Sequence, residues 1–261
     1  MSAEVQRLLG VRVLVTRPRE RAHELCFLLE DEGAEVLSLP LLELQPPTDE
    51  RPLRAVAERL GRFTWVAFTS PSGVQALCEA AREAGTRESL YRLKVAAVGP
   101  RTAYAARELG LQVNVEGERD TTGGGLAVEL KPMLGPEDHV LLPSAEEARP
   151  ELREALIEAG IAVTVVAAYR SVQAPIDDEA RAVLEGPPPH AVVLASPRTC
   201  EALWELPEGR GQTIAKAAKL VAIGPTTAAA LHRYDLHPDE VAEHPTNEAL
   251  VEAVVRAVRP G

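Results

Sequence analysis

The chain alternates short apolar runs of four or five residues with polar corners and then with apolar positions at helical spacing. The first such unit is VRVLVTRPRERAHELCFLLEDEGAEVLSL. Val11 to Val15 predicts a buried strand and Thr16-Arg17-Pro18 a turn. Leu25, Leu28 and Leu29 predict one face of a helix that Gly33 can end, and Val36 to Leu39 predicts a second strand. Strand, helix, strand implies a parallel pair. Trp65 to Phe68 is strand-like, Thr69 to Gly73 (TSPSG) reads as a corner, and a helix is expected from Val74 onward. KVAAVGPRTAYAARELG repeats strand, corner and helix, with a glycine stop at Gly110. LQVNVEG reads as a short strand, and DTTGGGLAVELKPML as a loop followed by a helix.

The order then restarts. Leu14 aligns with Leu141, Leu25 with Leu152 and Gly33 with Gly160, each pair 127 residues apart. Ser70 aligns with Ser196 at an offset of 126, and Gly99 with Gly224 at 125. That period is too long for a solenoid and suits a duplicated domain. The expected fold class is α/β: two similar doubly wound domains with mainly parallel sheets, about five strands each.

In open parallel sheets, ligands bind beyond the carboxyl ends of the strands. The residues expected there are Thr16, Arg17, Ser70, Ser72, Gly99 and Thr102, then Ser144, Ser196, Arg198, Thr199, Gly224, Thr226 and Thr227. Most are hydroxyl residues or glycines at helix starts, where free N–H groups and the helix dipole favour anions. Taken singly, each reads as a helix cap rather than a binding site. Together, in both halves, they suit a ligand with many carboxylates or phosphates, held by neutral donors. Tyr169 ends the predicted strand VTVVAAYRS. It fits a packing residue with its hydroxyl in water as well as a weak acid at the site, and spacing does not choose between them.

Composition narrows the classes. A length of 261 residues allows one large domain or two ordinary ones, and 46% hydrophobic content supports real cores. The net charge of −11 argues against a nucleic-acid partner but leaves an anionic small molecule open, since local donors can oppose the global field. Cys26, Cys78 and Cys200 lack CxxC spacing and are expected as reduced thiols packed on helices of a cytoplasmic protein. No run approaches the ~18 apolar residues of a membrane span, so no membrane partner is expected. GxGxxG, GxxxxGK[ST] and GxSxG are absent, and the six histidines lack metal-ligand spacing. TGGGLA reads as a loop rather than a phosphate cradle. The carboxylates fall on polar helix faces.

Taken in order, VLVTRP, AFTSPSGVQAL, AVGPRTA, AAYRS, VLASPRTCEAL, AIGPTTAAAL and EHPTNEAL resemble the uroporphyrinogen-III synthase family over nearly the whole chain. The resemblance implies conversion of hydroxymethylbilane, a linear tetrapyrrole with eight carboxylates, to uroporphyrinogen III. The terminal hydroxyl leaves as water and the last pyrrole ring is inverted. It further implies a cyclising hydro-lyase of tetrapyrrole biosynthesis that uses no metal or organic cofactor; separately, the chain is expected to act as a monomer. The implied fold is two α/β domains joined by a two-stranded linker, with the active-site cleft between them. Tandem duplication alone would cut the chain near residue 135. The resemblance implies residues 1–40 plus 174–261 as one domain and 41–173 as the other, with crossings near LPLLELQPP and AAYRSVQAP. It matches Tyr169 to the tyrosine favoured for assisting loss of the hydroxyl, Thr227 to the GPTT threonine and Thr102 to its partner in the other half. The alternative is a non-catalytic two-lobed binder of a polyanionic small molecule.

Overall fold

A computed structural model describes residues 6–117 and 122–259. In chain order the elements begin with β1 (Arg12–Val15), α1 (Arg19–Asp31), β2 (Glu35–Ser38) and β3 (Leu42–Gln45). Next come α2 (Arg51–Ala57), β4 (Trp65–Phe68), α3 (Pro71–Glu83), α4 (Arg87–Tyr91), β5 (Lys94–Ala97), α5 (Pro100–Glu108) and β6 (Val113–Glu116). These lead to α6 (Gly123–Leu130), β7 (His139–Ala145), α7 (Glu151–Glu158) and β8 (Ala162–Gln173). The chain closes with α8 (Asp178–Glu185), β9 (Ala191–Leu194), α9 (Pro197–Trp204), α10 (Arg210–Ala217), β10 (Lys219–Ala222), α11 (Pro225–Leu231), β11 (Glu240–Val241) and α12 (Asn247–Val258).

The chain forms two compact units, Met1–Glu43 with Val172–Gly261 (unit 1) and Leu44–Ser171 (unit 2). The cut near residue 135 that duplication alone suggests falls inside unit 2, ahead of β7. The five-stranded sheet runs β11-β10-β9-β1-β2 and its neighbours pair in parallel. The six-stranded sheet runs β3-β8-β7-β4-β5-β6, with β8-β7-β4-β5-β6 parallel throughout. The chain passes between the units twice, within β3 and within β8, which are neighbours in that sheet.

The central strands β4 (WVAF) and β9 (AVVL) are apolar without interruption because both of their faces are covered. In β1, Val13 and Val15 face the core beside α1 and α12, while Leu14 faces the core beside α9 and α11. In β4, Val66 and Phe68 join the core under α3, while Trp65 and Ala67 join the one under α6 and α7. The glycine that follows α1 and its counterpart after α7 both adopt the left-handed backbone (Gly33 φ +89, Gly160 φ +79) that stops a helix.

Two local expectations change. TSPSG is not a corner throughout: Ser70 caps α3 and the helix starts at Pro71, because proline fits the first helical position. TGGGLA is not a loop either. Gly123, Gly124 and Gly125 form the first turn of α6, where the Thr122 hydroxyl accepts from the Gly125 N–H at 3.2 Å and Gly123 lies against Leu152 of α7. Capping and packing outweigh the poor helix propensity of glycine. Asp120 and Thr121, which open that predicted loop, lie outside the described residues. The three cysteines are free thiols on α1, α3 and α9. Burial pushes the Cys78 thiol up to about 11 and Cys200 up to about 12. Among the described residues no helix is long and apolar enough to cross a membrane.

Candidate functional site

In unit 1 the corners after β1, β9 and β10 fall in a row, because these strands are parallel neighbours. Thr16 is fully buried, and its hydroxyl donates to the Val193 carbonyl of β9 at 2.8 Å, tying two corners together. Arg17 is buried too. Its Nη1 donates to Asn247 Oδ1 at 2.6 Å, and Asn247 in turn donates to the Glu24 carboxylate. Ser196 and Thr199 close a capping box on α9. The Ser196 hydroxyl accepts from the Thr199 N–H at 3.2 Å, and the Thr199 hydroxyl accepts from the Ser196 N–H at 3.1 Å. Arg198 is exposed. Gly224 precedes Pro225, Thr226 is exposed, and Thr227 is buried.

In unit 2 the same edge carries Ser70, Ser72, Gly99, Thr102, Ser144 and Tyr169. Gly99 and Gly224 hold equivalent places ahead of α5 and α11, and neither helix has a side-chain cap. No side-chain cap takes the Arg101, Thr102 and Thr226 N–H groups, while Pro100 and Pro225 have none and the Thr227 N–H donates to the Gly224 carbonyl at 3.1 Å. Thr102 and Thr227 are each the third residue of their helix, only 3% and 2% exposed. Neither hydroxyl has a hydrogen-bond partner among the described residues. Both corners combine backbone and hydroxyl donors without formal charge, a combination that holds anions.

Ser144 stands at the carboxyl end of β7, as expected, but not at a helix start, because α7 begins only at Glu151. Its hydroxyl donates to the Ala145 carbonyl at 3.3 Å and borders a pocket of about 230 Å³ with Thr69, Arg149 and Arg153.

Tyr169 does not end its strand, since β8 continues to Gln173. Its position depends on a bulge instead. β7 and β8 pair Ser144 with Ala167 and then Ala145 with Tyr169, so Ala168 is an extra residue in β8. Val166 and Ala168 face the core under α2 and α3, and simple alternation would turn Tyr169 to the opposite face. The extra residue brings Tyr169 back to the α3 side, where it packs on the same core. Its hydroxyl donates to Ser70 Oγ at 2.9 Å, reaching across β7 to the corner after β4. Tyr169 and the buried Ser72 also line a pocket of about 370 Å³ with Leu53, Gln75 and Ala80.

The structure thus gathers Thr16, Arg17, Ser196, Arg198, Thr199, Gly224, Thr226 and Thr227 on one sheet edge, and the remaining candidates on the other. Sequence reasoning missed Asn247. The signal was present in HPTNEAL, where Thr246 caps α12 and places Asn247 in its first turn. Among the described residues no group of three or more His, Cys, Asp or Glu could hold a metal ion.

A family model described as uroporphyrinogen-III synthase HemD matches residues 23–252. A protein of Methanothermobacter thermautotrophicus, provisionally named a uroporphyrinogen-III synthase, is 35% identical over 85% of this chain and 89% of its own length. The chloroplastic uroporphyrinogen-III synthase of Oryza sativa subsp. japonica is 28% identical over 95% of this chain and 80% of its own. Among solved structures, uroporphyrinogen-III synthetase from Helicobacter pylori superposes with a TM-score of 0.68 at 18% identity, covering 94% of this chain and 99% of that one. A mutant uroporphyrinogen III synthase from Thermus thermophilus gives 0.63 at 24% identity, covering 95% and 99%. These two likenesses establish the fold.

Proposed function

This chain belongs to the uroporphyrinogen-III synthase family, and from that premise we propose that it cyclises hydroxymethylbilane to uroporphyrinogen III. On this reading it is a hydro-lyase of tetrapyrrole biosynthesis, acting as a cytoplasmic monomer. The observation that carries the reading is the pair Thr102 and Thr227, buried residues whose hydroxyls lack a partner among the described residues, at the same turn of two matched helices. Each side chain is packed, but its hydroxyl oxygen is not sealed from solvent, so it can donate to a ligand that accepts. The corners Gly99–Thr102 and Gly224–Thr227 take carboxylates of the substrate. Neutral donors hold an anion without also having to desolvate a cation.

Catalysis is then mostly positioning. The last pyrrole ring must react at its substituted carbon, through a spiro intermediate, for the ring to be inverted. The proton balance is simple. The C–O bond of the hydroxymethyl group breaks with its electron pair on oxygen, and a proton from the protein completes the water. The bond from the spiro carbon to its original bridge then breaks, the bridge closes on the ring's free α-carbon, and that carbon releases its hydrogen as a proton, which restores the protein. The tyrosine side of the unit 2 edge supplies this acid–base step, a smaller share of the acceleration than positioning.

The test is to incubate the protein with hydroxymethylbilane and resolve isomers I and III. Spontaneous closure gives isomer I. An excess of isomer III is expected, and isomer I alone at the uncatalysed rate would overturn the reading in favour of a binder.

A further inference from the structure

The duplicated corner after β4 and β9 has diverged in a way that capping does not explain. Ser70 and Ser196 both cap a helix that starts with proline. In unit 1 the cap is closed: the third helical residue is Thr199, whose hydroxyl bonds back to the Ser196 N–H. The same 126-residue offset puts Gly73 in that place in unit 2. Gly73 can return no side chain. A Cβ there would lie 2.8 Å from the Pro143 carbonyl oxygen, so the start of α3 is seated directly against β7.

Ser70 Oγ therefore keeps the bond from the Gly73 N–H at 3.1 Å and gains one from the Tyr169 hydroxyl at 2.9 Å. With two bonds accepted, both of its lone pairs are engaged. Its own O–H has no acceptor among the described residues, and the residue is half-buried. The bulge at Ala168 exists in register terms to bring Tyr169 to this side of the sheet. Bulges of this kind re-aim side chains beside active sites.

We propose that Ser70 delivers the proton to the departing hydroxyl and that Tyr169 stands behind it as the positioning and replenishing residue. This rests on the synthase reading above. The Ser70 O–H bond breaks toward the leaving oxygen, which departs as water with the electron pair of the C–O bond. The Tyr169 hydroxyl proton moves to Ser70 Oγ, leaving a phenolate. The proton released by the ring carbon at closure returns to Tyr169 through the same pair, so no other reactant is needed.

The experiment measures kcat and KM for isomer III formation by the wild type, Ser70→Gly, Ser70→Thr, Tyr169→Phe and the Ser70→Gly/Tyr169→Phe double variant. Glycine is a tolerated cap, so Ser70→Gly removes the hydroxyl at little cost in stability, and thermal unfolding of each variant verifies this. Ser70→Gly is expected to lower kcat about 100-fold with little change in KM, the scale of a lost general acid. Tyr169→Phe is expected to lower it less, the double variant no further than Ser70→Gly alone, and Ser70→Thr to retain most activity. Full activity in Ser70→Gly, a larger loss in Tyr169→Phe, or losses that multiply in the double variant would each overturn the proposal. If the wild type itself makes only isomer I, the synthase reading fails. If the wild type makes isomer III and Ser70→Gly makes it equally fast, the synthase reading stands and this assignment alone fails.

Discussion

Two glycines in the first turns of helices should respond to the same substitution with opposite signs. Gly73→Ala places a methyl group 2.8 Å from the Pro143 carbonyl oxygen and 3.4 Å from Ser70 Oγ. A carbon–oxygen contact settles at about 3.3 Å or more, so the start of α3 or the β7 backbone must give by about 0.5 Å. Overpacking of this kind costs about 1–3 kcal/mol. Alanine returns up to about 1 kcal/mol over glycine in a helix. The net is a loss of about 1–2 kcal/mol, or a fall in Tm of about 3–8 °C for a unit of this size. Gly124→Ala in α6 is the counterpart. Its nearest neighbour is Thr122 Oγ1 at 3.7 Å, an ordinary contact, so the helix gain stands alone and Tm should rise by about 1–3 °C.

The assay is thermal unfolding followed by calorimetry, with isomer III formation measured on the same preparations. The displacement of α3 moves Ser70, whose oxygen lies 2.9 Å from the Tyr169 hydroxyl. Gly73→Ala should therefore also lose activity at temperatures where it is fully folded, while Gly124→Ala keeps it. A Gly73→Ala variant as stable as the wild type would refute the claim that α3 is seated on the β7 backbone.

Thr102→Val and Thr227→Val keep shape and remove a hydroxyl; if each donates to a carboxylate, KM should rise about 10- to 100-fold per variant, from the ~1.5–3 kcal/mol of a hydrogen bond to a charged group. Unchanged KM in both would sink the corner as a carboxylate site. Arg7 is paired with Glu32 after α1 and Glu252 of α12, and its hydrogen bonds hold both carboxyls below the usual range. A carboxyl whose folded pKa is depressed adds stability above its unfolded pKa near ~4.3 and loses it as pH falls through the folded value. Arg7→Met should thus cost about 0.5–1 kcal/mol at pH 7, given partial exposure and screening, with the difference from wild type closing below pH ~4 in denaturant titrations. Asn247→Ala removes an acceptor from buried Arg17 and should cost about 1–3 kcal/mol; a loss within error would show that the tie between α12 and the β1 corner is dispensable.

What could be read from the sequence was whatever a strand or corner declares locally. β4 was legible to the residue because four consecutive apolar positions are buried on both faces, and the strand ends where Thr69 begins the corner. The corners were legible because proline suits the first helical position and a preceding Ser or Gly suits the cap. The first turn of α6 was not, since three glycines read as a loop until the Thr122 cap and the contact with Leu152 are known. Ser144 was legible as a strand-end residue, but its distance from the start of α7 was not. The Arg17–Asn247 bond joins residues 230 apart, and no periodicity carries that information.

The aim of Tyr169 was illegible for the same reason, and this matters most for function. Which face a strand residue occupies depends on register, and one extra residue reverses it. Ala168 is extra only relative to β7, so the reversal is invisible in AAYRS by itself. Yet the sequence did hold its complement. SPSG in unit 2 stands where SPRT stands in unit 1, and the loss of the threonine side chain is what leaves the Ser70 corner open. A hydroxyl at position 73 would close the cap as Thr199 does and compete with Tyr169 for the corner. The glycine, the bulge and the tyrosine therefore form one arrangement. Each has an ordinary structural reading taken alone, and only their convergence on Ser70 Oγ distinguishes this corner from its duplicate.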